Sequence, residues 1–257
     1  METNELGFIG GGRITKIFLQ AFKNKAVKFN SIVVFEPDQK ILAALKNQFP
    51  GMESADSPEV PARLKMVILA VHPPVMMETI ERIKNAVNEH TIILSLAPKI
   101  TMEKISTVLP TRKIIRMIPN ATSYINEGYN PVSFHDSFLP DEKERFLHLF
   151  EVLGETFEVK ETYLESYAIV SAMLPTYFWF QWEKMQDIAQ KTGFSQAEAT
   201  RIIKETLTRS VKLFYDSGLS SNEVIDLIPV KPMGDKEEDI NSIYESKLLG
   251  LFEKIKP

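Results

Sequence analysis

The chain has 257 residues, 44% hydrophobic and 25% charged, with a formal net charge of −4 and no cysteine. That is material for one or two globular domains with a substantial core. It argues against a general nucleic-acid or anionic-membrane surface, and it excludes a disulfide framework and thiolate chemistry.

The opening Met1-Glu-Thr-Asn-Glu5 lacks the basic and apolar character of a secretory leader. No apolar run approaches the ~18 residues a membrane span needs. A cytoplasmic protein with no membrane or nucleic-acid partner is expected. Leu6-Gly-Phe-Ile-Gly10 then reads as a short buried strand. Gly10-Gly11-Gly12 follows at once, and Ile14, Ile17, Phe18, Ala21 and Phe22 recur at helical spacing. Glycines between a buried strand and an amphipathic helix are the context a dinucleotide fingerprint requires. Gly10 permits the turn, Gly12 lets a pyrophosphate approach the backbone, and the helix start offers N–H groups to negative charge. The third small position falls on Thr15, where glycine or alanine is usual, so helix and strand are expected to pack less closely there.

Ser31-Ile-Val-Val-Phe35 is the second strand, and Glu36 ends it, about twenty residues past the glycines. A carboxylate there accepts from a ribose 2′-hydroxyl and repels a 2′-phosphate, which favours NAD over NADP; neighbouring Lys40 softens the preference. The competing reading is a solvated Glu before a Pro37-Asp38 turn. The alternation continues with a helix over Ile41 to Phe49, a strand at Met66 to Val71, and a helix through Met76, Met77, Ile80 and Ile83. A strand at Thr91 to Leu96, a helix from Met102 to Leu109 and a strand at Lys113 to Met117 follow. Tyr129 to Phe134 is a candidate for one more strand. This pattern specifies an α/β domain of Rossmann type, with a doubly wound parallel sheet, over residues 1–160. Its ligands belong beyond the strand ends. Those ends carry Ala70, Val71, His72 and Pro73 after one strand, Ser95-Leu-Ala-Pro98 after the next, and Pro119-Asn120 after the last.

From residue 161 the pattern becomes purely helical. Tyr163 to Lys191 reads as a helix that Pro175 kinks or restarts. Ser195-Gln-Ala-Glu198 is a capping box opening a helix that closes near Gly218, and Ser220 with Glu223 repeats the box. Asp235 to Ile255 places Ile240, Ile243, Tyr244, Leu248, Leu251 and Phe252 on one stripe. This is an all-helical dimerisation domain over residues 161–257, whose apolar helices call for a second copy of the chain.

Taken together, Gly7-Phe-Ile-Gly-Gly-Gly12, Leu69-Ala-Val-His-Pro73, Arg116-Met-Ile-Pro-Asn120 and Glu127-Gly128 resemble the motifs of pyrroline-5-carboxylate reductases, in their order and spacing. The resemblance runs from about residue 6 to 218. It implies a Rossmann domain, a helical domain interlocked in a homodimer, and reduction of a cyclic imine to proline with NAD(P)H. Two stretches depart from it. The family's Ser-Gly-Ser-Gly-Pro-Ala-Tyr is here Ser171-Ala-Met-Leu-Pro-Thr-Tyr177. Its Ser-Pro-Gly-Gly-Thr-Thr, which holds the substrate carboxylate, is here Lys231-Pro-Met-Gly-Asp-Lys236. At position 72 stands His where the family has Lys, and at 74 Pro where it has Gln. An altered small-molecule substrate follows, with little turnover of pyrroline-5-carboxylate.

The expected cofactor site is Gly10, Gly11, Gly12, Arg13, Ile14, Glu36, Ala70, Val71, His72, Pro73 and Asn120. Candidates for catalysis are His72, Asn120 and Lys236. Each has a plainer reading: His72 as a packing or surface imidazole, Asn120 as a cap, and Lys231 and Lys236 as solvated loop lysines. Tyr177, Trp179 and Trp182 read as core or dimer interface before substrate cage. His72, His90, His135 and His148 show no metal-ligand spacing, so no metal is expected. No nucleophile elbow or P-loop is present. Two functions remain: a dinucleotide-dependent oxidoreductase acting on a C–N bond, or a non-catalytic nucleotide-binding scaffold or sensor. Because the cofactor carries hydride chemistry, lost substrate loops change the substrate more readily than they end activity.

Overall fold

The computed structural model describes residues 5–257. Six strands come first: β1 (Glu5–Ile9), β2 (Ser31–Phe35), β3 (Glu53–Ala55), β4 (Met66–Leu69), β5 (Ile92–Ser95) and β6 (Ile114–Met117). β7 (Gly128–Phe134) and β8 (Gly154–Glu158) complete one eight-stranded sheet of order β3-β2-β1-β4-β5-β6-β7-β8. β1 to β6 run parallel, and β7 pairs antiparallel with β6. The reason is the short link from Ile118 to Glu127. A parallel return needs a crossover of a dozen or more residues, so this link can only reverse the chain. β8 then pairs parallel with β7.

Helices cover both faces, as strands with continuous apolar runs require. α1 (Arg13–Asn24), α2 (Gln39–Gln48) and α5 (Pro140–Phe150) bury Phe18, Phe22, Leu42, Leu45, Phe146 and Phe150 against Leu6, Phe8 and Val34. α3 (Pro73–Ile83) and α4 (Met102–Ser106) pack Met76, Ile80 and Ile105 against Ile9, Val67 and Leu69 on the other. The helices therefore change face between β1 and β4, which places the topological switch at those two strand ends. α4 stops short of Leu109. The Ser106 and Thr107 hydroxyls bond back to the carbonyls of Glu103 and Lys104, the local competition that makes such residues poor helix continuers.

The long helix foreseen over 163–191 is three pieces. α6 (Leu164–Tyr167) passes into a π-helical turn (Ala168–Ala172), and α7 (Leu174–Lys191) restarts with Pro175 in its first turn. By packing, the chain divides after Ala172, and Leu251–Pro257 returns to the first unit. The second unit, Met173–Gly250, contains α7, α8 (Gln196–Asp216), α9 (Ser221–Asp226) and most of α10 (Glu237–Ile255). Ser195 and Ser220 form the two expected capping boxes, and Gly218 (φ 78°) follows α8. Within this unit Ala199 alone is fully buried, while Phe180 is 64%, Val211 59% and Ile228 69% exposed. Its helices have stripes but no interior of their own. No helix among the described residues is long and apolar enough to cross a membrane.

Candidate functional site

The glycine loop sits at the switch point. Gly10 takes φ +104°, a conformation L side chains rarely adopt. Its N–H bonds the Phe35 carbonyl at 2.8 Å, and a Cβ there would lie 2.5 Å from the Ala70 carbonyl oxygen. Ala70 donates to Ile9 O at 2.8 Å and Val71 stands beside Gly10, so β4 forms the loop's second wall.

Gly12 is the N-cap of α1. It offers no side-chain acceptor, and a Cβ built on it would meet nothing within 4 Å. The first turn of α1, with Arg13 and Ile14, thus keeps unpaired N–H groups facing open space. Several other helices are closed, α2 by Asp38, α4 by Thr101, α8 and α9 by serines, whereas α3 and α7 begin with proline in the first turn and no side-chain cap. Aligned donors beside open space are what a pyrophosphate fits. Thr15 explains itself here. Fully buried, it donates its hydroxyl to Gly10 O at 2.6 Å, so the extra bulk also fastens the turn.

Glu36 follows β2 directly. Its Oε2 accepts from Gly11 N–H at 2.7 Å and its Oε1 from Asp38 N–H at 3.1 Å. His72 is the exposed N-cap of α3, with no capping hydrogen bond, and Pro73 begins the helix. The geometry puts Gly10, Gly11, Gly12, Arg13, Ile14, Glu36, Ala70, Val71, His72 and Pro73 at the carboxyl ends of the neighbouring strands β2, β1 and β4.

Asn120 is different. It is buried, its Oδ1 accepts from Thr122 N–H and Oγ1, and its Nδ2 donates to the carbonyl (3.3 Å) and hydroxyl of Ser171. In an α-helix the Ser171 carbonyl would accept from the residue four on, which is Pro175 and has no N–H. Asn120 supplies that missing donor. Replacing Asn120 with Asp should cost about 2–3 kcal/mol in urea unfolding, because a carboxylate would face a carbonyl, while dinucleotide affinity stays unchanged. Lost affinity at full stability would instead make Asn120 a reader of the nicotinamide.

Sequence reasoning missed the groups beside it. Arg116 on β6 is 1% exposed and bonds Glu165 (2.5 Å), Glu161 (2.9 Å) and the Ala97 carbonyl. Glu165 also accepts from Lys99 N–H and Glu161 from Met102 N–H. This buried cluster fastens the loop after β5 to the turn leading into α6. Its partners lie 45 and 49 residues apart, so no local pattern announces it.

In the second unit, Lys231, Asp235 and Lys236 are exposed. Lys236, in the turn before α10, pairs with Asp239 in the first turn of that helix at 3.5 Å. Tyr177 packs edge-on to Tyr244, and burial raises its phenol above the usual range. No cluster of metal-ligating side chains occurs among the described residues.

Residues 5–98 match a family described as NADP oxidoreductase, coenzyme F420-dependent. The pyrroline-5-carboxylate reductase of Escherichia coli K12 is 27% identical over 244 residues, covering 94% of this chain and 90% of that protein. That of Methanosarcina acetivorans is 21% identical over 254 residues, covering 98% and 94%. Among solved structures, the Plasmodium falciparum pyrroline carboxylate reductase with NADP bound superposes with a TM-score of 0.84 at 20% identity, covering 100% of this chain and 98% of that one. The Streptococcus pyogenes enzyme gives 0.80 at 19% identity, covering 98% of each. By sequence and by fold, the chain resembles the pyrroline-5-carboxylate reductases over nearly its whole length.

Proposed function

We propose that this chain is an NAD(P)-dependent oxidoreductase of the pyrroline-5-carboxylate reductase type, acting on a small imine or amine and working as a homodimer. The observation that carries the reading is the uncapped start of α1 behind Gly12, with open space where a Cβ would stand. When bound there, the dinucleotide supplies the hydride. The chain's own residues hold the pyrophosphate through the N–H groups at Gly12, Arg13 and Ile14. Glu36 meets the adenosine ribose, and Ala70, Val71, His72 and Pro73 border the cleft. The altered loop at 231–236 supports a substrate other than pyrroline-5-carboxylate. Thermal-shift measurements with NADH and NADPH, then turnover against a panel of imino and keto acids, test this directly. Binding of a dinucleotide without turnover of any panel member would favour a non-catalytic nucleotide sensor, which the loss of hydroxyls in that loop also fits.

The homodimer rests on the second unit, whose apolar stripes lack an interior. An obligate interface of this kind should bury more than ~2,000 Å² in total. Light scattering at micromolar concentration should give twice the chain mass. A monomer would remove this part of the reading.

A further inference from the structure

The loop after β5 turns on two residues. Ala97 and Ile100 are both buried, so Pro98 and Lys99 alone carry the chain between them. Proline fixes its own φ, which leaves the turn to Lys99, and Lys99 has φ 73°. Proline followed by a residue of positive φ is the pattern of a type II turn, where glycine or asparagine is usual at the second of the two positions. A lysine there is strained, by an amount equivalent to about five- to thirtyfold in an equilibrium. Such strain persists only where surrounding groups hold it.

Three charged side chains from outside the loop do the holding. Glu165 accepts from Lys99 N–H at 3.0 Å, Arg116 donates to the Ala97 carbonyl at 3.3 Å, and Glu161 accepts from Met102 N–H at 2.8 Å. Arg116 also joins the two carboxylates, and it and Glu165 are fully buried. The strained residue is thus gripped on its own N–H and on the carbonyl two residues before it. Its ammonium is exposed and meets the Lys254 carbonyl at 3.4 Å.

We propose that Glu165, locked by Arg116, is a positioning residue for dinucleotide binding: it holds Lys99 left-handed and so sets the loop that borders the nicotinamide half. The proposal rests on the cofactor reading given above. Sheet order supplies the placement. With the pyrophosphate at the end of β1 and the adenosine ribose at the end of β2, the order β2-β1-β4-β5 sends the other half of the dinucleotide toward β4 and β5. The loop leaves β5 directly beside the end of β4, where Leu96 N–H donates to the Leu69 carbonyl at 3.2 Å. Once released, Lys99 relaxes to negative φ. Pro98 cannot adjust, so the peptide groups on either side of it shift, and the border moves with them.

The experiment is calorimetric binding to the full-length protein of NADH and NADPH, and of ADP, which carries only the adenosine and pyrophosphate end. Glu165→Ala should weaken the dinucleotide that wild type binds more tightly by about tenfold, within the strain range above, and leave ADP within about twofold. Glu165→Gln should stay within about threefold of wild type, since its amide oxygen accepts the same bonds. Glycine takes the same φ without strain, so Lys99→Gly in the Glu165→Ala background should restore dinucleotide affinity to within about threefold of wild type. Lys99→Val loses the same ammonium as Lys99→Gly but sets a β-branched residue at positive φ, and it should reproduce the selective loss. Its site is exposed, so it decides the matter if Glu165→Ala does not fold. Dinucleotide and ADP weakened together would mean a general loosening of the domain and overturn the proposal. So would normal binding of both by Glu165→Ala or Lys99→Val, or a Glu165→Ala defect that Lys99→Gly does not repair. Each of these leaves the cofactor reading intact, whereas binding of neither dinucleotide by wild type removes both.

Discussion

Gly12→Val will abolish dinucleotide binding and leave the fold standing. Most glycine substitutions in such a loop confound the two effects, and the structure separates them. Gly12 has φ −72°, a value valine adopts without strain, and its Cβ direction is empty to 4 Å. The unliganded protein therefore loses only about 1 kcal/mol, the cost of an apolar residue at an N-cap. Bound nucleotide is another matter, because the isopropyl group would stand between the pyrophosphate and the α1 N–H groups. Thermal melting should change by no more than a few degrees, and calorimetry with NADH and NADPH should show no binding up to millimolar concentration. Gly10→Val is the contrasting case. At φ +104°, with the Ala70 carbonyl 2.5 Å from the new Cβ, that variant should unfold. If Gly12→Val bound nucleotide normally, the phosphate site would have to lie elsewhere in the chain.

Pyrroline-5-carboxylate should be reduced with a kcat/KM at least a thousandfold below the ~10⁴–10⁸ M⁻¹s⁻¹ typical of enzymes. In the reductases this chain resembles, the loop matching Lys231 to Lys236 holds the substrate carboxylate. Two hydroxyl donors are replaced there by Asp235 and Lys236. At about 4 Å and an effective dielectric near 20, a carboxylate facing a carboxylate costs about 4 kcal/mol, roughly a thousandfold. Lys236 could offset this if its charge were free, but it pairs with Asp239 at 3.5 Å. The first turn of α10 adds Glu237 and Glu238, deepening the negative field. The measurement is a direct assay with saturating NADH and NADPH. A kcat/KM in the typical range would show that the backbone of this loop suffices to hold the substrate and that the chain makes proline. Asp235→Thr should then matter little, whereas on the present reading it should restore part of the activity.

The sequence made much of this architecture legible, and the successes and misses have physical causes. β1, β2, β4, β5 and β6 are largely apolar runs, interrupted in β6 by Arg116 and mostly buried, a signal carried within each run. The glycines, Glu36 and the capping boxes of α8 and α9 are equally local. β3, only Glu53-Ser-Ala55, and β8, Gly154-Glu-Thr-Phe-Glu158, are short or largely polar strands at the two edges of the sheet. There half the ladder faces solvent and no hydrophobic pattern is needed. The Gly11 to Glu36 bond spans 25 residues and the Arg116 to Glu165 bond 49. Long-range polar pairing leaves no periodicity to read. Asn120 was legible as a strand-end polar group, but which partner it meets depends on where residues 161–172 return to the sheet.

The pairing of Asn120 with the carbonyl that Pro175 leaves unsatisfied makes the two positions depend on each other. With proline at 175, any residue at 120 that cannot donate leaves the partly buried Ser171 carbonyl without that partner. With alanine at 175, a backbone N–H becomes available to that oxygen, and position 120 tolerates far more. Pro175→Ala should therefore be nearly silent alone yet rescue much of the damage done by Asn120→Ala, a positive epistasis confined to this pair. A lineage that drifts at one position thereby changes which substitutions survive at the other, so these two sites are expected to vary together although 54 residues of chain lie between them.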